Sequence, residues 1–316
     1  MKKLCFLVAT MLLCASLGLP ARAQYPDRAI KMIVPFPAGG TTDNIFRPLA
    51  PLLQKHLGRS VMIANIAGGS GTDGARAARG SAADGYTIFA MPDYIHFVYY
   101  SGLTDISYKD FEPICLVAAT ASVLAASPKT PWKDWPEFLA DARKRPGEIT
   151  VGAAMSTNSH IFPATIEKKA GIKFKYVPYE GSAPRWTAIL DGQVDLTDSN
   201  LTEKSKVDAG QLKFLVIATE QRDPEIPNVP TLKELGFDIV KRVERGLVVP
   251  KGTPAPARAK LVEACSRATS EPAFKEATKL YGTRVTFLDD KMYAAYLDKI
   301  DGEYKAIMTD LGLLKK

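Results

Sequence analysis

Cysteine, histidine and metal-binding motifs are scarce in this sequence. Its 316 residues contain four cysteines and three histidines (His56, His96 and His160), and no two cysteines form a C-x-x-C pair. A structural zinc site needs a compact set of cysteine and histidine ligands. The composition therefore excludes such a site, and we expect a protein without a metal centre and without a cofactor.

Long apolar runs are also scarce, and the one that stands out lies at the N-terminus. It extends from Leu4 to Leu19, follows the basic start MKK and precedes Ala21-Arg22-Ala23, which has the A-x-A form of a cleavage site. The run is shorter than the roughly 20 apolar residues that a membrane span needs, which disfavours a permanent anchor. We predict that residues 1–23 are a signal peptide cleaved after Ala23, and that the mature protein is periplasmic.

No stretch of the chain combines clustered basic residues with aromatic ones, although the formal net charge is +7. Lys2, Lys3 and Arg22 lie in the predicted signal peptide, and subtracting these three charges leaves +4. A nucleic-acid-binding surface is expected to show a basic patch. We therefore expect no nucleic-acid partner. The content of hydrophobic residues, 46%, and of charged residues, 24%, is typical of soluble globular proteins.

Loss of the signal peptide would leave two cysteines, Cys115 and Cys265. Two cysteines can form one disulfide. These two are 150 residues apart, on a predicted strand and a predicted helix, and the sequence gives no distance between them. We interpret them as two buried thiols and keep a disulfide as the alternative.

Short apolar runs alternate with segments of helical periodicity, which is typical of a parallel sheet covered on both faces. The predicted strands are 30–36, 61–66, 86–91, 150–153, 175–177, 194–197, 212–218 and 246–249, and the predicted helices include 44–57, 74–81, 135–144, 160–170, 255–270, 272–281 and 291–314. The pattern restarts after the apolar residues 116–126, without a polar linker. This predicts an α/β protein of two units.

Because no linker separates the two units, we expect the chain to cross over and back. The candidate crossings are 117–127 and 245–253. Residues 24–124 and 246–316 then form the first domain, and residues 125–245 form the second. Small ligands usually bind in the cleft between such domains, at the carboxyl ends of the strands.

Pro37 to Asp43 connects the first predicted strand to the first predicted helix, and Gly39 and Gly40 lie in it. Free amides at a helix N-terminus, together with the helix dipole, favour an anion without any Arg or Lys. An ordinary turn capped by Thr42 or Asp43 explains the same residues equally well. No Gly-Lys-Ser/Thr follows, which excludes a Walker A loop.

A second polar loop, from Ala153 to His160, also lies between a predicted strand and a predicted helix. Ser156, Thr157 and Asn158 offer short polar side chains there, although such a cluster alone usually caps a helix. If the two units face each other, both loops place helix N-termini around one cleft. That arrangement suits a carboxylate.

Three other patterns suggest chemistry less strongly. Gly69 to Gly74 matches G-x-G-x-x-G, but it lies in the second strand-helix unit of an exported chain, so we favour a tight turn over a dinucleotide site. Ser70 lacks the final glycine of a nucleophile elbow, and His160 is a weak candidate for catalysis. Asp198 and Asn200 follow a strand and either contact a ligand or cap a turn. The residues that could line an apolar pocket are Phe36, Tyr94, His96 and Phe162.

The chain resembles the substrate-binding receptors of tripartite tricarboxylate transporters, the Bug family. The motifs that carry the resemblance are 34–43 (VPFPAGGTTD), 84–87 (DGYT), 177–184 (VPYEGSAP), 191–195 (DGQVD) and 227–231 (PNVPT). The resemblance implies a two-domain periplasmic binding protein fold of type II, each domain a mainly parallel sheet flanked by helices. It also implies hinge closure on a small carboxylate, a membrane permease as partner, and no catalysis. We expect a monomer. A sensory module for a kinase and a periplasmic hydrolase are the alternatives.

The resemblance also implies which residues bind the ligand. They are Phe36, Ala38, Gly39, Gly40, Thr41 and Asp43 in the first loop, Ser156, Thr157, Asn158 and His160 in the second, and Asp198 and Asn200 in the far wall. We add Tyr94 from the candidate pocket residues. Ala38 and Thr41 stand where many relatives have proline and glycine, which leaves backbone donors in place. Tyr94, His96, Met155, Thr157 and Asn158 are less typical of the family, and we expect them to set ligand identity.

Overall fold

The computed structural model describes residues 25–316, so the predicted signal peptide lies outside the described residues. This part of the chain contains eleven strands and ten α-helices. The strands are β1 (Ile30–Val34), β2 (Val61–Asn65), β3 (Thr87–Pro92), β4 (Phe111–Ala121), β5 (Val123–Ala126), β6 (Thr150–Ala153), β7 (Lys175–Pro178), β8 (Leu196–Ser199), β9 (Lys213–Ile217), β10 (Arg242–Pro250) and β11 (Arg284–Leu288). The helices are α1 (Thr41–Leu57), α2 (Thr72–Arg79), α3 (Tyr94–Tyr100), α4 (Trp135–Lys144), α5 (Asn158–Ala170), α6 (Ser182–Leu190), α7 (Lys204–Asp208), α8 (Ala255–Ser270), α9 (Pro272–Lys279) and α10 (Asp290–Asp310).

The strands form two separate sheets. The first has the order β11-β4-β10-β3-β1-β2, and the second has the order β7-β6-β8-β5-β9. We call the first sheet, with the helices packed on it, the first lobe, and the second sheet with its helices the second lobe. The α/β architecture with two sheets confirms the predicted fold class.

Both sheets are mixed, so the prediction of mainly parallel sheets is wrong. In the first sheet β1 is parallel to β2 and β3, whereas β10 is antiparallel to β3 and β4. In the second sheet β6 is parallel to β7 and β8, whereas β5 is antiparallel to β8 and β9. Strands β4 and β5 carry the chain out of the first sheet, and β10 brings it back, so β10 runs against β4. An apolar run does not reveal the direction in which it pairs.

The two crossings between the lobes lie side by side. Ser122, between β4 and β5, donates its amide hydrogen to the carbonyl of Lys241 at 3.0 Å. Ser122 lies within the predicted crossing 117–127, but β10 already begins at Arg242, upstream of the predicted return at 245–253. The domain boundaries derived from those crossings stay a prediction.

Each sheet has a hydrophobic core on both of its faces, which explains the continuous apolar run in an inner strand such as β4. In β1, Met32 and Val34 pack into a core formed with α1 and α8, whereas Ile33 packs into a core on the opposite face with α3 and α10. The second sheet is built in the same way, with Leu124 and Val123 on opposite faces. This alternation follows from the two-residue period of a strand.

Helix α3 and strand β11 were absent from the sequence prediction. Six of the seven residues of α3 are buried, so its sequence YIHFVYY has no polar face and no helical period. Strand β11 lies at the edge of the first sheet and has no fully buried residue. No helix within residues 25–316 is both long enough and apolar enough to cross a bilayer.

Cys115 and Cys265 form a disulfide, so the interpretation as two buried thiols is wrong. Cys115 lies on β4 and Cys265 on α8, and both pack in the same core with their Cα atoms 6.7 Å apart. The sequence showed that each cysteine would be buried. It could not show that α8 packs against β4, which is what brings the two together.

We predict that replacing Cys265 with serine lowers the free energy of unfolding by roughly 2–5 kcal/mol, because the disulfide closes a long loop in the unfolded chain. Urea unfolding of a chain starting at Gln24, followed by circular dichroism, measures the loss. Cys115→Ser serves as the control and should cost a similar amount. Titration of two free thiols in the unreduced, urea-unfolded wild type would show that the bond does not form.

Candidate functional site

A small cavity lies between the two lobes, next to the crossing at Ser122. Its volume, counted as the space that the centres of water molecules can occupy, is about 70 Å³. One water needs roughly 10–15 Å³ of such space, so the cavity has room for several waters or a small ligand. Loops from both lobes line the cavity, including Thr41 and Thr42 of the first lobe and Thr157, Asn158 and Ser159 of the second. The two loops that the sequence singled out therefore meet at one site.

Three helices begin at this cavity. They are α1 after Gly40, α5 after Thr157 and α6 after Gly181. Two of the N-caps are glycines, which have no side chain, and the Thr157 side chain makes no capping bond to the first-turn amides. The partial positive charges of three N-termini therefore converge on one space, which favours an anion. Helix α6 was not predicted to take part. The signal that could have revealed it is Gly181, whose φ of 85° is needed just before the helix starts.

The amides of the first loop bond to protein groups in this structure. Gly39 donates its amide hydrogen to Asp43 Oδ2 at 3.0 Å, and Gly40 donates to the carbonyl of Pro37 at 3.3 Å. The amide of Thr41 donates to Ser182 Oγ of the second lobe at 2.9 Å. Thr41 lines the cavity, whereas Ala38, Gly39, Gly40 and Asp43 lie outside its wall and shape the loop. Ligand contacts from those four residues stay a prediction.

Asp43 holds the first loop in place through its charge. Burial would raise the pKa of Asp43, but hydrogen bonds from Arg47, the Gly39 amide and Asn65 outweigh burial and lower it. Arg47 Nη2 lies 2.6 Å from Asp43 Oδ1. Asp43 is therefore an ionised structural anchor behind the loop, one helical turn from Arg47.

The second loop divides in the same way. Thr157 and Asn158 line the cavity, whereas Ser156 and His160 do not. The amide of Ser156, held at a φ of 56°, donates to His160 Nδ1 at 3.3 Å. Burial lowers the pKa of His160 to about 4, so its imidazole is neutral, and it packs edge-on against Tyr176 with ring centroids 4.7 Å apart. His160 thus supports the loop from behind.

Two arginines form part of the cavity wall, so the expectation of a site without basic side chains is wrong. Arg185 of α6 donates through Nη1 to Thr197 Oγ1 at 2.7 Å and to the carbonyl of Asp198 at 2.9 Å. Arg245 of β10 donates through Nη1 to Thr120 Oγ1 at 3.0 Å and through Nε to Thr42 Oγ1 at 3.3 Å. Both side chains are buried and bond to neutral oxygens.

Burial also lowers the pKa values of both guanidinium groups. Burial lowers the pKa of Arg185, and it lowers the pKa of Arg245 to about 10, so Arg245 remains charged at neutral pH. The arginines were missed because nothing in the sequence around either one indicates that its side chain is buried. Arg185 is four residues after the glycine that precedes α6, and Arg245 is in the middle of a strand.

Asp198 and Asn200 both line the cavity, at the end of β8. Asn200 Nδ2 donates to Thr41 Oγ1 of the first lobe at 3.2 Å, and Asn200 Oδ1 accepts from the amide of Thr202. Burial raises the pKa of Asp198 to about 6, although the nearby charge of Arg185 opposes the increase. Asp198 is thus a buried carboxyl group beside two guanidinium groups.

Aromatic residues cover the remaining wall. Phe36 and Tyr94 line the cavity with ring centroids 5.1 Å apart, and Trp186 lies in the wall on the side of the second lobe. Tyr94 Oη donates to the carbonyl of Gly71 at 2.7 Å, and a Cβ on Gly71 would lie 2.7 Å from the Tyr94 ring. This glycine of the G-x-G-x-x-G stretch therefore serves a tight turn that packs behind the pocket.

Two other predicted pocket residues lie elsewhere. His96 Nδ1 lies 2.9 Å from Asp301 Oδ1 and packs against Tyr108, and Phe162 belongs to the core of the second lobe. Both were predicted as residues that could line an apolar pocket, and both face the interior of their own lobe instead.

The lobes are joined by hydrogen bonds around the rim of the cavity. Besides the Thr41 to Ser182 bond, the amide of Ser70 donates to Glu180 Oε2 at 3.1 Å. Asn158 Nδ2 donates to Asp93 Oδ1 at 2.5 Å. These contacts hold the two lobes together across the cavity.

Comparison with known proteins matches this architecture. The family model described as the tripartite tricarboxylate transporter family receptor matches residues 45–313. A UPF0065 protein in the gbd 5' region of Cupriavidus necator is 34% identical over 310 residues, which cover 95% of this chain and 94% of that protein. The solved structure of the periplasmic binding protein BugD is 28% identical with a TM-score of 0.87, and the match covers 92% of this chain and 100% of that one.

Two further solved structures that are similar to this chain are of proteins together with a dicarboxylate. MatC from Rhodopseudomonas palustris with bound malate is 27% identical with a TM-score of 0.83, and the match covers 90% of this chain and 99% of that one. The R. palustris protein Rpa4515 with adipate is 26% identical with a TM-score of 0.86, and the match covers 91% of this chain and 98% of that one. The two-domain fold of periplasmic binding proteins thus extends over almost the whole chain.

We predict that Asp198→Asn changes the pH dependence of stability. Folded Asp198 keeps its proton up to about pH 6, whereas the unfolded carboxyl loses it near 3.8. The titration of Asp198 should therefore lower the free energy of unfolding of the wild type as the pH rises from 4 to 6. The variant should not show this decrease, because its residue 198 does not titrate. Urea unfolding without ligand at several pH values measures the difference between the two proteins.

Asp238→Asn is the matched control, because the Asp238 side chain is 91% exposed. Its stability should follow that of the wild type over the same pH range. A constant difference between the wild type and Asp198→Asn from pH 4 to 6 would contradict the raised pKa.

Proposed function

Because the chain belongs to the family of tripartite tricarboxylate transporter receptors, which includes the Bug proteins, we propose that it captures a small dicarboxylate in the cavity between its lobes. In this proposal the protein works in the periplasm and delivers the ligand to a membrane permease of the tripartite type. The ligand is bound reversibly and is released unchanged.

The observation that carries the proposal is the charge of the cavity wall. The lining includes two buried guanidinium groups, those of Arg185 and Arg245, and one carboxyl group, that of Asp198, while Asp93 and Glu244 act on Arg245 from outside the lining. Three helix N-termini add partial positive charge at the same place. A buried charge is costly unless an opposite charge pairs with it. An organic anion that enters the cavity supplies that charge.

The placement of one arginine on each lobe favours a ligand with two anionic ends. Arg245 belongs to the first lobe and Arg185 to the second, so a dicarboxylate can place one end near each lobe. Malate and adipate, described with the two R. palustris relatives, are dicarboxylates of this kind. Phe36, Tyr94 and Trp186 suit the hydrocarbon between the two ends.

Closure of the lobes is the step that couples binding to delivery. A ligand that contacts both lobes binds the closed form better than the open form, and it shifts the population by that difference in affinity. The bonds of Thr41 with Ser182 and of Ser70 with Glu180 then form only in the closed form. The permease would recognise the closed, loaded protein.

We predict that Arg245→Gln weakens dicarboxylate binding by about ten- to hundredfold, because it removes a charge-assisted hydrogen bond worth about 1.5–3 kcal/mol. Titration calorimetry with succinate, malate and adipate measures the loss. Arg267→Gln is the control, since Arg267 lies on α8 and its side chain is 61% exposed. Failure of the wild type to bind any of a broad panel of dicarboxylates would refute the proposed function.

We also predict that Glu180→Gln speeds ligand release about fivefold. The variant keeps the shape of the side chain but replaces a charged acceptor for the Ser70 amide with a neutral one, and a loss of about 1 kcal/mol corresponds to this factor. Stopped-flow tryptophan fluorescence measures the release rate, because Trp186 is the one of the three tryptophans that lines the cavity. Glu220→Gln, whose carboxylate is 67% exposed, is the control. An unchanged rate would show that this contact does not hold the closed form.

A further inference from the structure

Several buried polar atoms in the cavity wall have no hydrogen-bond partner among residues 25–316. They are Ser122 Oγ, Asn158 Oδ1, Trp186 Nε1, Asp198 Oδ1 and Ser199 Oγ, and Ser122 lies close enough to the Asp198 carboxyl to favour its ionised form without meeting hydrogen-bond geometry. Most buried polar groups in proteins are hydrogen-bonded, and each exception needs an explanation. Five such atoms at one cavity indicate that a ligand, together with water, completes their bonding.

Two of these atoms can only accept a hydrogen bond. Asn158 Nδ2 donates to Asp93 Oδ1 at 2.5 Å, which assigns the amide oxygen of Asn158 to the unpartnered position. Asp198 is an acceptor whenever it is ionised. Its side chain is 8% exposed and Asn158 is 5% exposed, so water outside the cavity does not satisfy them.

A plain dicarboxylate does not match these acceptors. The carboxylate oxygens of such a ligand are themselves acceptors, and the chain between them carries no polar hydrogen. A plain dicarboxylate would satisfy the arginines and leave the acceptors of Asp198 and Asn158 unpaired. The ligand that fits must also donate a hydrogen bond.

A neutral hydrogen-bond donor on the ligand fits this site better than a cationic one. Arg185 and Arg245 line the same cavity as Asp198, and Lys241 also lies close enough for its charge to act on the Asp198 carboxyl. These cations repel a ligand ammonium group. A hydroxyl group donates to Asp198 without adding charge.

We propose that Asp198 selects hydroxy-dicarboxylates over plain dicarboxylates by accepting a hydrogen bond from the ligand hydroxyl, with Asn158 Oδ1 as a second acceptor. This inference rests on the proposed capture of a dicarboxylate and makes its ligand class narrower. It assigns Asp198 to specificity, while Arg185 and Arg245 provide the general attraction for anions.

Matched ligands that differ only at the second carbon test the inference. Succinate, malate and aspartate carry hydrogen, hydroxyl and ammonium on the same four-carbon chain. The five-carbon set is glutarate, 2-hydroxyglutarate and glutamate, and the six-carbon set is adipate, 2-hydroxyadipate and 2-aminoadipate. Titration calorimetry of the full mature chain with all nine, supported by thermal stabilisation, gives the affinities.

We expect the hydroxy acid to bind at least tenfold more tightly than the plain acid and the amino acid in the chain length that fits. Asp198→Ala should reduce the preference for the hydroxy acid to below threefold. Asp198→Asn keeps an acceptor oxygen and should keep part of the preference. Ser199→Ala, which removes a neighbouring hydroxyl, should weaken the binding of the hydroxy acid and of the plain acid by the same factor.

The possible failures can be told apart. If the plain acid binds within threefold of the hydroxy acid, or the amino acid binds as tightly, the selection by Asp198 is refuted while dicarboxylate capture stands. A tenfold preference that survives in Asp198→Ala also refutes it. If none of the nine ligands binds, the proposed function fails and the inference fails with it. Should Asp198→Ala not fold, the wild-type series and Asp198→Asn still decide.

Discussion

The burial of two guanidinium groups that make no direct salt bridge within the described residues is the constraint that organises this protein. Arg185 and Arg245 each bond to hydroxyl and carbonyl oxygens, and neither forms a salt bridge within residues 25–316. Neutral acceptors orient a guanidinium group but leave most of its desolvation cost in place. The unliganded protein therefore retains an electrostatic cost that an anion between the lobes removes. The surrounding helix N-termini act in the same direction.

The crossing between the lobes connects this site to the rest of the chain. Asp93 accepts hydrogen bonds from Asn158 of the second lobe and from Tyr304 Oη of α10, the latter at 2.6 Å. Lys241, at the return crossing, lies with its Nζ 3.8 Å from Asp93 Oδ2 and 4.1 Å from the centre of the Tyr304 ring. A buried polar network thus runs from the cavity wall to the C-terminal helix. It gives the second loop a defined position relative to the first lobe.

The sequence predicted the parts of this arrangement that depend on local patterns. Thr41, Thr157, Asn158 and Asn200 each follow a strand closely and Asp198 lies at the end of one, and in an α/β fold such positions collect at one edge of the sheets. Arg185 and Arg245 escaped notice because their role depends on burial, and nothing in a single sequence distinguishes a buried arginine from a solvated one. The direction of β10 and the pairing of Cys115 with Cys265 depend on tertiary contacts as well. Gly39 and Gly40 have the composition of an anion loop, yet their amides turn back on the loop itself.

The position of β10 imposes an order on assembly. It lies between β3 and β4 in the middle of the first sheet, although it follows the whole second sheet in the chain. A chain that emerges N-terminus first can complete the second sheet while β1 to β4 still lack their central neighbour. The first lobe must wait for residues after Arg242, and its unpaired strand edges stay available to wrong partners until then.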